Sequence, residues 1–380
     1  MAVCAFNDVR ICGVKTVVPE HCINIDDELQ YFDNNPKKLA RQKKMNGYGQ
    51  RYIADDKTTV TDMACSAANM LLEEMGVDKS EINLLVFVNQ KPDFPEPCDA
   101  CVAHGRLGLR KDCTALDINL GCSGYAHALM TAHALMASGG YSKALLLAGD
   151  LCGRSTDQTN RKSAPVFGDA TSATLLAYKR ASGRKAWFVT GTDGYGYDKI
   201  IHPAGGMSLP IGGDVLSVKV EDAAGNVFNL LTGQMKGEDV FNFTMEVGPQ
   251  LIKDTMAAAG WANEDVDLFS IHQANKQIVE MVVDRAGIPV EKAPVETFTK
   301  YANNSTNSVV TVICDQGFGR ELKNVVLASF GIGLSWGGAG IDLSGMYNGG
   351  IATYRTPSDA LDRKGRINYW IKHFGGEVKA

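Results

Sequence analysis

Strand-like and helix-like runs alternate along this chain, and they do so twice in the same order. In the first half, the helical pattern TDMACSAANMLLEEMGV (61–77) precedes strand-like runs at 82–89 and 113–121, a helix at 123–139 and a strand at 143–150. In the second half, a helix at 240–260 precedes a strand at 266–273, a helix at 276–288, the short run VETFTKYA (295–302), a helix at 305–317 and a strand at 323–331. Apolar strands interleaved with amphipathic helices predict a mostly parallel sheet covered on both faces, which confines the chain to α/β architecture. The repetition predicts two units, 1–179 and 180–345, whose strand ends face one central site, and crevices at such strand ends are where ligands bind. Two unrelated α/β units are the alternative. The glycine-rich stretch 180–235 reads as excursions between the halves, and 346–380 as a tail with a short helix around PSDALDRKGRINYWIKHF.

A chain of 380 residues, 45% hydrophobic and 21% charged, is long enough to bury two fused cores. A net charge of −5 gives no global reason to expect a nucleic-acid partner. The N-terminal apolar run is interrupted by Asp8 and Arg10, so it reads as a strand and not a signal peptide. No uncharged run reaches the roughly 18–20 residues of a membrane span, and the expected location is cytoplasmic. The ten cysteines fall mostly inside apolar segments, which predicts buried free thiols. Cys98 and Cys101 form a single CxxC with no second pair or histidines at ligand spacing, so no metal site is expected.

In DINLGCSGYAHALM (117–130), Cys122 stands where a strand gives way to a helix. The free N–H groups and positive dipole end of a helix N-terminus favour a thiolate. Gly121 and Gly124 leave room for another backbone, or a thioester, to approach. A buried structural cysteine is the alternative. FSIHQANKQ places His272 and Asn275 at the end of a buried strand, and YANNSTNSV places Asn303 at what reads as the matching strand end of the repeat. Converging His and Asn side chains suit stabilisation of an enolate or a thioester oxyanion.

GCSGYAHAL, FSIHQANKQ, YANNSTNS and ASFGIGLSWGG occur in the order and roughly the spacing of the ketoacyl synthase III branch of the thiolase superfamily, and FGDATSATLLAY (167–178) resembles a further segment. The resemblance covers about residues 5–345. It implies the five-layered αβαβα thiolase fold, a homodimer, and acyl-coenzyme A or acyl carrier protein as substrates, with no metal or redox cofactor. It further implies Cys122 as the acylated nucleophile and His272 as the active-site histidine. Asn303 is the partner asparagine if Asn303-Asn304-Ser305 matches the family's Asn-Thr-Ser, with Asn304 one register away. The backbone N–H groups of Cys122 and Ile332 would form the oxyanion hole. The implied reaction acylates Cys122, and a second thioester then loses carbon dioxide to give the attacking enolate.

Two departures stand out. Glu96, in NQKPDFPEPCDACVAHGRLGL, occupies the place of a phenylalanine that gates the partner subunit's acyl tunnel in the family. It resembles the glutamate of head-to-head condensing members such as the olefin-pathway enzyme OleA, which acts as a base across the dimer. That likeness implies a non-decarboxylative Claisen condensation or contact with a polar acyl chain. Alternatively Glu96 is a solvated loop residue or pairs with Arg106. In KKLARQKKMNGYGQRYIADD (37–56), Arg41 and Met45 stand where the family has a tryptophan and an arginine for coenzyme A. Arg154 matches another such position, and the cluster Lys37, Lys38, Arg41, Lys43, Lys44 is expected to attract coenzyme A phosphates or an acidic carrier protein, or else is a solvated helix face. Condensation is the leading expectation. Acyl transfer from Cys122 to an alcohol or amine of a sugar or natural-product acceptor is the second, and a non-catalytic partner subunit the third.

Overall fold

The strands assemble into two sheets that exchange their outermost members. In the computed structural model, which describes residues 1–223 and 225–377, a six-stranded sheet runs Tyr347–Tyr354, Val9–Pro19, Ala170–Tyr178, Lys143–Asp150, Leu84–Val88, Thr114–Ile118 in spatial order. A five-stranded sheet runs Ala2–Asn7, Lys185–Thr192, Ser335–Asp342, Asn324–Gly331, Leu268–Ile271. The N-terminal strand thus lies in the second sheet, and a strand from beyond residue 345 lies in the first. The segments 1–179, 180–345 and 346–380 therefore divide the chain but not the sheets.

Period-two alternation explains how one strand serves two cores. Along Leu84–Val88, residues 84, 86 and 88 face the space between the sheets, while 85 and 87 face outward. Helices Gly124–Ala137 and Ser308–Gln316 fill that central space, packing Tyr125, Leu129, Val309 and Ile313 against Leu146 of one sheet and Phe188 and Leu327 of the other. Helices Val60–Met75 and Asp99–Leu107 cover the outer face of the six-stranded sheet through residues such as Met63, Leu71 and Ala103. Gly237–Ala259 and Lys276–Ala286 cover the other through Leu251, Val279 and Val282. The result is the five-layered αβαβα thiolase arrangement. Val60–Met75 carries both of its stop signals in the sequence: a reciprocal Thr59/Asp62 capping box at the start and Gly76, at φ 62°, at the end.

Two expectations need correction. The sheets are mixed: in the five-stranded one only Leu268–Ile271 against Asn324–Gly331 is parallel. The tight turn at 332–334 folds Ser335–Asp342 straight back on the preceding strand, and a connection that short permits only an antiparallel pair. VETFTKYA is β-branched and aromatic, yet Glu296–Tyr301 is helical, so Asn303 follows a helix and no strand. The buried Gln273 side chain accepts the Phe298 N–H at 3.2 Å, one of the tertiary contacts that override local propensity there. Asn303 instead forms an isolated parallel bridge with Phe167.

Candidate active site

Cys122 follows the Thr114–Ile118 strand and precedes the Gly124–Ala137 helix, where the turn Gly121–Ser123 is closed by Gly124 N–H donating to the Gly121 carbonyl at 2.7 Å. Its neighbour across the central space is Gly331, the last residue of a strand in the other sheet. A Cβ on Gly331 would stand 2.7 Å from both Cβ and Sγ of Cys122, so the absent side chain is what lets the sheets meet at this sulfur. Gly121 and Gly124 serve the protein's own packing: a Cβ on Gly121 would meet Ile332 Cγ2 at 2.6 Å, and one on Gly124 would meet Val88 and Thr306.

Burial pushes the Cys122 thiol up, and the Asp150 carboxylate adds to that. The Ile332 N–H, the cysteine's own N–H and the Ser305 hydroxyl act in the opposite direction. These are the two backbone donors the sequence singled out, and both approach the sulfur. The turn carrying Ile332 is fastened by a short polar chain in which the Ser123 and Ser335 hydroxyls lie 2.6 Å apart and Ser335 donates to the Ile332 carbonyl at 2.9 Å.

His272 directly follows the Leu268–Ile271 strand, its N–H donating to the Ala328 carbonyl of the neighbouring strand at 2.8 Å. The ring is buried edge-on against Phe330, and burial lowers its pKa to about 4, so it is neutral near pH 7. Nδ1 lies 2.7 Å from Ser308 Oγ, which also accepts the Gln273 N–H at 3.4 Å. That pattern directs the serine proton at Nδ1 and assigns the ring proton to Nε2, making Nε2–H a donor.

Asn303 and Asn304 separate cleanly. Asn304 is turned inward, its Nδ2 donating to the Tyr301 carbonyl at 2.9 Å. Asn303 Oδ1 accepts the Ser305 N–H at 2.9 Å, and its Nδ2 makes no hydrogen bond among the described residues. Ser305 adopts φ 52° and sets its side chain against both the Cys122 thiol and the Asp150 carboxylate, which brings the asparagine loop to the nucleophile. Asn275 is an N-cap, accepting the Ile278 N–H at 2.9 Å.

The charged positions fare differently. Lys38 and Lys43 of helix Pro36–Asn46 pair with Asp33 and Asp26, while Arg41 and Lys44 are exposed and unpaired among the described residues. Arg154 donates to the Thr58 and Asp56 carbonyls, and its turn hangs from Asp169, a buried carboxylate accepting the Ala54 and Gly153 N–H groups at 2.8 and 2.7 Å. Glu96 is exposed, with no hydrogen bond or ion pair among the described residues. Arg106 is not its partner, because that guanidinium is taken by Asp62 and Asp93. Ser305, Ser308 and Asp169 were not singled out by the sequence. Their spacing to the motif residues, two beyond Asn303 and five beyond it, is the one signal that could have found the serines.

Two profiles of known families match the chain: 3-oxoacyl-[acyl-carrier-protein (ACP)] synthase III over residues 116–194, and its C-terminal counterpart over 256–343. A putative 3-oxoacyl-[acyl-carrier-protein] synthase 3 of Campylobacter jejuni is 36% identical over 92% of this chain and 98% of its own length. A beta-ketoacyl-[acyl-carrier-protein] synthase III of Syntrophomonas wolfei is 29% identical over 87% and 96%. The crystal structure of a 3-oxoacyl-(acyl-carrier protein) synthase from Burkholderia xenovorans superposes with TM-score 0.84 at 31% identity, covering 93% of this chain and 99% of that one.

Proposed function

The chain belongs to the 3-oxoacyl-[acyl-carrier-protein] synthase III family of acyl-transferring condensing enzymes, and we propose that it joins two acyl thioesters through an acyl-enzyme on Cys122. In the first half-reaction the Cys122 thiolate attacks a thioester carbonyl, and the N–H groups of Cys122 and Ile332 hold the resulting oxyanion until the donor sulfur leaves as a thiolate, which takes its proton from solvent. In the second, a malonyl-type thioester loses carbon dioxide. Its enolate oxygen is held by His272 Nε2–H and Asn303 Nδ2–H while the enolate carbon attacks the acyl-enzyme and returns the thiolate. A neutral histidine suits this task, because it donates a hydrogen bond without having to give up a full charge.

The observation that carries the reading is the convergence on one sulfur of two backbone donors and of the loop that bears Asn303. Acyl-coenzyme A or acyl carrier protein would deliver the chains. Arg41 and Lys44, left without acidic partners, and Arg154 are the groups that would receive phosphates or an acidic carrier surface. A homodimer is proposed from the Thr114–Ile118 strand. It lies at the edge of the six-stranded sheet and is only partly buried, and a second copy pairing there would satisfy its free backbone groups.

Intact-protein mass spectrometry after incubation with acyl-coenzyme A and acyl-carrier-protein donors tests the first half-reaction. A stable acyl adduct is expected on the native chain and none on Cys122→Ala, and the same absence on both sinks the proposal. Malonyl thioester added next should release carbon dioxide and a ketoacyl product.

A second reading is favoured by the unpaired carboxylate of Glu96, which is free to reach a neighbouring subunit and remove an α-proton without decarboxylation. On that reading Glu96→Gln keeps acylation and loses condensation. Unchanged turnover leaves Glu96 a loop residue.

A further inference from the structure

Three polar residues, Asn89, Gln90 and Lys91, follow the Leu84–Val88 strand at its carboxyl end. Two of them are engaged within the protein: the Asn89 amide donates to the Asp99 carboxylate at 3.1 Å, and the Lys91 ammonium donates to the Ser155 hydroxyl. The Gln90 side chain is half-buried, and its carboxamide makes no hydrogen bond among the described residues. Its backbone is nevertheless fixed. The Gln90 N–H donates at 2.8 Å to Asp150, a buried carboxylate at the end of the Lys143–Asp150 strand.

The carboxamide lies against the turn that presents the nucleophile. A Cβ on Gly121 would stand 2.9 Å from Gln90 Cδ, nearer still to Oε1, and 2.6 Å from Ile332 Cγ2. A bare glycine at 121 is therefore what admits both side chains to one spot. Gly121 leads directly into Cys122, and Ile332 supplies the second N–H that approaches the sulfur. Gln90 thus borders the two segments whose N–H groups would hold a thioester carbonyl, and any acyl chain on Cys122 starts beside it.

A carboxamide offers donors and an acceptor, and a saturated chain laid against it leaves both ends without partners. An oxygen on the chain removes that cost. A site that hydrogen-bonds a substrate oxygen therefore rejects the analogue lacking it more strongly than an apolar wall rejects a missing methylene.

We propose that Gln90 is a specificity-determining residue that hydrogen-bonds an oxygen within the first few carbons of the acyl group, so that Cys122 is loaded with 3-hydroxyacyl or 3-oxoacyl chains in preference to saturated ones. The inference rests on the acyl-enzyme reading of Cys122. It assigns a use to the one polar side chain of the 89–91 segment that the fold leaves without a partner among the described residues.

The test follows loading of Cys122 by intact-protein mass spectrometry, with 3-hydroxybutyryl and butyryl thioesters of equal chain length presented on coenzyme A and on acyl carrier protein. At limiting donor the native chain should load the hydroxylated group faster by about 10- to 100-fold. Gln90→Met keeps the length of the side chain and removes the amide. It should abolish the preference by slowing the hydroxylated group alone, with an unchanged thermal melt. A native chain that loads both groups equally overturns the inference. So does a Gln90→Met variant that keeps the preference, or one that slows both groups alike, which would make Gln90 a packing residue of the oxyanion hole. The absence of any adduct on the native chain with any donor is a different failure, since it removes the Cys122 reading itself and this inference with it.

Discussion

Replacing Gly331 by alanine isolates how tightly the nucleophile is held. The backbone at 331 tolerates a side chain, since its φ is not in the left-handed region, so the substitution acts by collision alone. The new methyl would sit 2.7 Å from Cβ and Sγ of Cys122, where non-bonded atoms settle at roughly 3.5–4.0 Å. One of the two must retreat by on the order of 1 Å. Overpacking of that kind costs about 1–3 kcal/mol of stability. A 1 Å misplacement of a reacting group lowers a rate by about 100-fold, which corresponds to about 2.7 kcal/mol of barrier. The assay is the single-turnover rate of Cys122 acylation, followed by quenched-flow mass spectrometry beside a thermal melt. The expectation is a variant that still folds, with acylation slowed by about two orders of magnitude. Wild-type acylation in a variant with an unchanged melt would refute the idea that contact between the two sheets positions the sulfur.

Ser308→Ala removes the hydroxyl that directs the His272 tautomer. Leaving a buried ring nitrogen without its partner costs about 1–3 kcal/mol, so decarboxylation and condensation should fall by roughly 5- to 100-fold while acylation of Cys122 is untouched; an equal fall in both half-reactions would count against a role through His272. His133, buried against Phe188, has its pKa lowered by burial to about 4 from an unfolded value near 6.5. Between those values the unfolded chain binds the extra proton, so the group's contribution is whole above pH 6.5 and is lost as pH falls towards 4, up to about 3 kcal/mol. Asp150 and Asp169, raised by burial to about 6, act in the opposite direction over part of that window. His133→Gln should therefore lose less stability than the native chain between pH 7 and 4.5 in denaturant titrations, and parallel profiles would show that the histidine does not titrate there.

What the sequence disclosed about this site is what a short segment can encode. Cys122 between glycines at a strand-to-helix turn, and His272 at the end of an apolar run, carry their context within a few residues on either side. So does the capped helix 60–75. The supports of the site are set by contacts across the fold: Ser308 matters because a helix from the second half aims it at His272, and Asp169 because two distant loops bring it their N–H groups. VETFTKYA misleads for the same reason, since distant groups such as the Gln273 side chain bond its backbone in the helical form. The motif match alone favours Asn303 over Asn304, and the fold adds that the Asn304 amide is already taken by the Tyr301 carbonyl.

The exchange of outer strands also bears on how the molecule comes into being. The strand that residues 2–7 pair with, Lys185–Thr192, emerges from the ribosome nearly two hundred residues after them. One side of Val9–Pro19 is covered by Tyr347–Tyr354, more than three hundred residues downstream. A nascent chain stopped anywhere short of residue 354 carries a sheet with an open flank, so the first half is not a free-standing precursor that the second half later joins. Each sheet is thus completed only once segments from both halves of the chain are present together.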